Sequence, residues 1–568
     1  MKRFVFFVFV SFSINAYSQF FDEAKYFIKF TDKNNSPYSI SSPVEFLSQR
    51  AIDRRERYNI PIDETDLPVN QHYIDSVLQT GGMLLHRSKW FNAITISTAD
   101  TSIVSNILDL HFVESVENTY PLFGSKKKPL DSISGTKNYE TFLPFQENFF
   151  TANNSSETSM FDIKTLNYGY AYNQNTMIGI DYLHALGYIG EGMIIAVLDA
   201  GFYKVDELGV FDSLRADNRI LGTKDYVMPN GNVYEEHTHG MAVLSIMAGN
   251  TPGMLIGTAP KASYWLLRSE DGATEYRIEE DNWVAAAEFA DSLGADVFNT
   301  SLGYTVFNDT AQNYTYQDMD GNTARITIGS NIAASKGILV VSSAGNSGAS
   351  PWKYISAPAD GRKVLAVGAV DENKIYADFS SQGPSYDERV KPNVVAQGAE
   401  TAVINSENNV SFSSGTSLSG PIIAGAIACL WQANPTFTNI EIMNAIEKSA
   451  SLFPDSDSLY GYGIPNFAAA NIILNRELKS TDEYPLILIY PVPFDSQVFI
   501  VFHSSKDQNI DIEIIDNLGK RIAIISNYFV IKGFNNISLT EIESVRKGVY
   551  HLRIITGEKS YSRKILKI

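Results

Sequence analysis

Met193-Ile194-Ile195-Ala196-Val197-Leu198-Asp199-Ala200-Gly201 is an apolar run without alternation that ends on a carboxylate and two small residues. A strand buried on both faces reads this way, and such strands belong to parallel sheets covered by helices. Asp296–Asn299, Ile338–Ser342 and Val364–Val367 repeat the pattern, with helical stretches such as Trp283–Leu293 and Ser330–Lys336 between them. Strands alternating with helices predict an α/β fold with a doubly wound, mostly parallel sheet. Its functional groups are expected at the carboxyl ends of the strands.

Four side chains with usable chemistry fit that expectation. Asp199 closes its strand, where a partly desolvated carboxylate can accept an imidazole N–H and hold one tautomer; an aspartate capping a turn reads the same way. His239 lies in Glu235-Glu236-His237-Thr238-His239-Gly240, ahead of Val243, Ile246 and Ala248 at helical spacing. That places it at a helix N-terminus, with His237 on the approach loop. Two histidines two apart suggest zinc, but helical metal pairs are spaced by four and no third ligand is apparent. A neutral imidazole at this position suits a general base.

Ser417 follows Gly415-Thr416, precedes Pro421 and opens a helix expected to run through Leu430. Its hydroxyl needs a base to become a nucleophile. Gly415 allows close approach of a carbonyl, and the helix N-terminus favours an oxyanion. An N-cap serine is the plain alternative, and Ser413, Ser414 and Ser419 are rivals. Asn346, in Ser343-Ala344-Gly345-Asn346, is either a turn residue or a side-chain donor to that oxyanion. A carboxylate, an imidazole and a hydroxyl in the order Asp, His, Ser are the parts of a serine-nucleophile hydrolase.

The chain has 568 residues, enough for about three or four domains. An apolar content of 44% with 19% charged residues describes a globular protein. The net charge of −19 argues against nucleic acid and anionic membranes as partners. Cys429 is the single cysteine, so neither an intrachain disulfide nor a thiolate metal site can form. Its surroundings, Ile422–Leu430, read as a buried helix.

Lys2 and Arg3, the apolar run from Phe4 to Val10, and Ala16-Tyr17-Ser18 predict a secretory signal peptide over residues 1–18. No later run reaches about 18 uninterrupted apolar residues, so an exported soluble bacterial protein is expected. Residues 20 to about 118 form an α+β pattern of the ferredoxin-like type, with a strand at Tyr26–Phe30. Ser42-Pro43-Val44-Glu45 is a capping box expected to open a helix through Arg57. Lys126-Lys127-Lys128-Pro129 begins a polar connector. After Thr481 the pattern alternates, as in Asp511–Ile515, Arg521–Ile525 and Val549–Ile554, and predicts a β-sandwich.

The ordered set of motifs resembles the subtilisin-like serine protease (subtilase, peptidase S8) family over about 310 residues. Val197–Gly201 matches the aspartate motif, His239-Gly240 the histidine motif, and Gly415–Ser417 with Pro421 the serine motif. Ser343–Asn346 is similar to the oxyanion segment, and Asn299–Gly303 to the edge that pairs with substrate. Ala366–Val370, Phe379–Ser381 and Lys391–Val394 match further landmarks. Ala200, Met241, Ala242 and Ser419-Gly420 depart from the usual residues without removing a catalytic atom.

The resemblance implies a secreted endopeptidase with Asp199, His239, Ser417 and Asn346 as catalytic residues. Polypeptide substrates would lie along Ser301, Leu302 and Gly303. No cofactor is required; structural calcium is frequent in the family, but no dense carboxylate loop places it. Ala344 and Ser356–Ala359 suggest an uncharged specificity pocket. The first module resembles a subtilase pro-domain, an intramolecular inhibitor. The last resembles the type IX sorting domain of Bacteroidetes, through Tyr490–Pro493 and Gly548–Tyr550, and implies outer-membrane secretion machinery as partner. The expected division is signal 1–18, pro-domain 19–118, linker 119–165, peptidase 166–475, linker 476–484 and sandwich 485–568. A degenerate subtilase-fold adhesin is the rival, but it would lack a triad member and none is missing. Peptide ligation, or maturation of a single partner, would use the same acyl-enzyme.

Overall fold

The computed structural model describes residues 23–122, 166–476, 487–490, 492–494, 498–539, 542, 545–557 and 559–568. The expected signal peptide, nearly all of the 119–165 connector and all but Arg476 of the 476–484 linker lie outside the described residues.

The N-terminal module runs β1 (Ala24–Phe30), α1 (Gln49–Arg57), α2 (Gln71–Leu78), β2 (Met83–Ser88), β3 (Ala93–Thr98), α3 (Ile103–Leu108) and β4 (Val113–Tyr120). The antiparallel order β2-β3-β1-β4 is the ferredoxin-like arrangement expected. The predicted capping box fails. Pro43–Glu45 is only a 3-10 turn without a side-chain cap, and α1 starts six residues after Pro43 on Ser48, whose hydroxyl accepts from Ala51 N. The reason lies elsewhere in the chain: Ser48 N donates to Ser292 O at 2.8 Å, which pulls the segment out of helical register.

The central domain continues with α4 (Tyr172–Thr176), α5 (Ile180–Ala185), β5 (Ile194–Asp199), α6 (Asp212–Ala216), β6 (Ile220–Asp225), α7 (His239–Ala248), β7 (Asn250–Thr251) and β8 (Leu255–Ile256). It then runs β9 (Ser263–Arg268), α8 (Ile278–Ser292), β10 (Val297–Thr300), α9 (Arg325–Ser335), β11 (Leu339–Ser343), β12 (Val364–Val370) and β13 (Val394–Gln397). After β14 (Thr401–Ile404) and β15 (Val410–Ser413) come α10 (Thr416–Ala433), α11 (Asn439–Lys448) and α12 (Phe467–Arg476).

Seven parallel strands order as β13-β12-β11-β10-β5-β9-β6. Chain order reverses between β5 and β10, so the carboxyl ends of these two strands flank the switch-point crevice where α/β sheets bind ligands. Ile195 and Val197 of β5 pack into the core under α7 and α10, whereas Ala196 and Leu198 pack with Trp283 and Phe298 under α8 and α9. Both faces are buried, which is why the sequence shows no alternation. Helix α10 has 18 residues and a mean hydropathy of 1.2, enough by length and composition to cross a membrane, yet 89% of it is buried inside this domain.

The C-terminal strands β16 (Ile487–Tyr490), β17 (Val498–Ser504), β18 (Gln508–Asp516), β19 (Arg521–Val530), β20 (Gly533–Leu539), β21 (Gly548–Thr556) and β22 (Lys559–Lys567) form two sheets, β16-β17-β20 and β19-β18-β21-β22. Phe502, Ile512, Ile514, Ile537 and Ile554 fill the space between them.

Contacts on both flanks join the modules to the central domain. Toward the N-terminus, Glu288 of α8 accepts from Ser88 Oγ at 2.6 Å, Lys89 N at 2.7 Å and Trp90 N at 3.0 Å. Asp291 pairs with Arg54 at 2.5 Å and Arg55 at 2.9 Å, and Lys336 with Asp66 at 2.8 Å. Burial pushes the Asp291 carboxyl up, but the charges of Arg55, Lys89 and Arg54 more than offset it and hold it well below the usual range.

Toward the C-terminus, Tyr490 and Val501 pack on Ala468 and Ala469, and the Tyr490 ring meets that of Tyr182 edge-on with centroids 4.9 Å apart. Tyr490 also lies close to Asp181, whose Oδ1 is buried with no hydrogen-bond partner among the described residues. Burial pushes this carboxyl up to about 7. A carboxyl with a raised docked pKa favours the docked state when protonated, so docking weakens as pH rises from about 4 to about 7 and is level above. Denaturant midpoints of the sandwich should follow that curve, and Asp181→Asn should remove this slope.

Candidate active site

Asp199 is the last residue of β5, where the strand ends and the sheet opens. Only 1% of the residue is exposed. Its Oδ1 accepts from Ala200 N and from His239 Nδ1, both at 2.7 Å. A carboxylate has no proton to give, so the contact fixes Nδ1 of His239 as the protonated nitrogen and leaves Nε2 with a lone pair. His239 opens α7, as its spacing predicted. His237 sits on the approach loop, its Nδ1 accepting from His239 N at 3.1 Å.

Close backbone packing brings these two segments together. A Cβ on Gly240 would stand 2.4 Å from Gly201 O and 3.0 Å from Asp199 Cβ, so only glycine lets α7 start this near the end of β5.

Ser417 is the second residue of α10, buried to 7% exposure. Asn346 and Ser301 hold this helix start. Asn346 Oδ1 accepts from Thr416 N at 2.8 Å and from Thr416 Oγ1 at 2.9 Å, and Ser301 Oγ donates to Ser417 O at 2.9 Å. Thus Asn346, just past β11, and Ser301, just past β10, both grip the segment that carries Ser417. With its oxygen occupied on Thr416, Asn346 has its amide nitrogen as the remaining polar end. Thr416 was not singled out in the sequence, yet it is the anchor for Asn346.

Leu302 is buried and Gly303 is exposed. A Cβ on Gly303 would stand 2.1 Å from Ser356 Oγ, so this wall too needs glycine. Ser356 Oγ is buried without a hydrogen-bond partner among the described residues, and Ser356 N donates to Ala344 O at 3.2 Å. These walls carry no charge. Cys429 is fully buried, with its thiol directed at Thr258 O, 3.1 Å away. Among the described residues, no group of three or more His, Cys, Asp or Glu converges to hold a metal ion.

Comparison with known proteins agrees with this fold. The Subtilase family (peptidase S8) matches residues 190–463, the peptidase S8 propeptide domain of Bacteroidota residues 25–132, and the secretion system C-terminal sorting domain residues 488–568. Subtilisin BL of Lederbergia lenta is 31% identical over 291 residues, covering 50% of this chain and 93% of that protein. Subtilisin E of Bacillus subtilis is 30% identical over 295 residues, covering 51% and 68%. The protein is a serine endopeptidase with a propeptide and a sorting tail. The chain belongs to the subtilase family. Its sorting domain marks type IX secretion, which makes it a secreted or cell-surface-attached protein of Bacteroidota.

The bond from Ser301 Oγ to Ser417 O tests how this site is held. Ser301→Ala removes a buried donor and leaves Asn299 Nδ2 without its acceptor, so unfolding stability should fall by about 1–3 kcal/mol. Chemical denaturation measures this.

Proposed function

We propose that the protein hydrolyses peptide bonds through an Asp199–His239–Ser417 triad and an acyl-enzyme. The observation that carries this reading is the 2.7 Å contact between the buried Asp199 carboxylate and His239 Nδ1. It leaves Nε2 as the base. Ser417 Oγ attacks the substrate carbonyl carbon while His239 Nε2 takes the hydroxyl proton. The resulting imidazolium is stabilised by Asp199 and passes the proton to the leaving amine. Water then enters, gives its proton to Nε2 and releases the acid, and Ser417 regains its hydrogen.

The negative oxygen of each tetrahedral intermediate is held by Asn346 Nδ2 and the Ser417 N–H. One such donor contributes about 2.7–4 kcal/mol. An extended substrate adds as a strand along Ser301, Leu302 and Gly303, and the uncharged walls around Ala344 and Ser356–Ala359 favour a neutral side chain at the cut. Structural calcium remains a family expectation without an assigned site.

The N-terminal module acts as an intramolecular inhibitor, and the sandwich as the address read by an outer-membrane secretion machinery. The ion pairs between α8 and the N-terminal module support the first role.

Ser417→Ala should lower casein hydrolysis by several orders of magnitude, of order a million-fold, while the far-UV circular dichroism is unchanged. An equally active variant refutes the assignment. Asp291→Ala leaves Arg54 and Arg55 buried without their shared counter-charge, at a cost of about 3–5 kcal/mol to the docked module. The uncut full-length variant should therefore cleave a peptide substrate at least about tenfold faster than the uncut parent.

A further inference from the structure

We infer that Arg268 is a positioning residue for the Asp199–His239 pair, an inference that rests on the triad reading above. Arg268 is the last residue of β9 and stands opposite Asp199 in the parallel register. Only 6% of it is exposed. Its guanidinium points three ways. Nε donates to Ala200 O at 3.1 Å, Nη1 pairs with Asp225 Oδ2 at 3.0 Å, and Nη2 pairs with Glu236 Oε2 at 3.1 Å.

Each partner belongs to a segment that sets the pair. Ala200 directly follows Asp199 and donates its N–H to Asp199 Oδ1. Asp225 ends β6, and its Oδ1 caps the next turn by accepting from Val227 N at 2.9 Å and Met228 N at 2.8 Å. Glu236 lies on the approach loop just before His239. The loops have no slack between them: a Cβ on Gly201 would stand 2.4 Å from His237 N and 2.7 Å from Glu236 Cβ. A shift of Ala200 is therefore passed to both ends of the Asp199–His239 bond. One planar fork with fixed donor directions ties the three segments together, which a lysine point charge cannot do.

The same cation also sets the local charge. Asp225 has a fully buried carboxylate and that of Glu236 is 36% exposed. Asp271 and Glu235 add negative charge around Glu236, and His237, next in the chain, has its ring centroid 6.5 Å from that of His239. Without Arg268, the negative charges of Asp225 and Glu236 would stand uncompensated by that guanidinium beside the segments that carry Asp199 and His239. The protonated form of His239 would be favoured, and the acid limb of activity would move to higher pH.

The test uses the self-processed enzyme and a chromogenic peptide anilide with an uncharged residue at the cut. Arg268→Met should lower kcat by about tenfold or more with KM within about twofold, and raise the acid limb of kcat/KM by about half a pH unit or more. Arg268→Lys should keep the acid limb and recover only part of kcat. Because a lone buried Asp225 could by itself unfold the methionine variant, the Arg268→Met/Asp225→Asn double variant is measured too. It should regain melting temperature while kcat stays low.

Parent-like kcat and acid limb in a folded Arg268→Met protein overturn the inference. So does a double variant whose kcat recovers together with its melting temperature, since that is the behaviour of a purely structural ion pair. Ser417→Ala run in parallel separates the two levels: if it still cleaves the anilide, the triad reading has failed rather than the role of Arg268.

Discussion

A single proton held between two nearly dry groups organises this molecule. Asp199 accepts His239 Nδ1–H at 2.7 Å at the end of β5, and everything around that bond restricts its length and direction. The sheet places Asp199 at the switch point. Gly240 lets α7 begin against it, and the N–H of Ala200 occupies the same carboxylate oxygen. On the far side of the crevice, Ser301 and Asn346 hold the start of α10 from β10 and β11, through Ser417 O and Thr416. Preorganisation of this kind avoids reorganisation at the moment of reaction, which is where rate is gained.

The N-terminal module is attached by a different kind of contact. Its junction with α8 and the end of α9 is built from buried charges, Arg54, Arg55, Asp66, Asp291 and Lys336 among them. Desolvating such groups costs nearly as much as their attraction returns, so these pairs add little net affinity when all partners are present. They add selectivity, since a docked surface lacking one partner leaves an uncompensated charge. They also make separation feasible, because each group regains hydration when the surfaces part. A propeptide held by this chemistry fits closely yet parts more readily than one held by an apolar seam.

Much of this was legible in the chain because the signals were local. Apolar runs without alternation marked the parallel strands, and small apolar residues after His239 and Ser417 marked the two helix starts. Alternation in Asp511–Ile515 marked the sandwich, where Ile512 and Ile514 are now buried. The misses share one cause. Helix α1 does not begin at the Ser42 box, because Ser48 N is taken by Ser292 O of another module. Thr416 gained its role only when β11 delivered Asn346 to it. Arg268 was invisible, since Ala200, Asp225 and Glu236 become its neighbours only through sheet register and loop packing. Contacts that depend on register between distant segments leave no periodicity to read.

The central claim is that the hydroxyl of residue 417 is made nucleophilic by the imidazole of residue 239. Peptide mass spectrometry after treatment with a fluorophosphonate tests it most directly. A phosphonyl adduct on Ser417 that disappears in His239→Ala is the predicted result. An adduct confined to Ser413, Ser414 or Ser419, or one on Ser417 that forms equally fast without the imidazole, would contradict it.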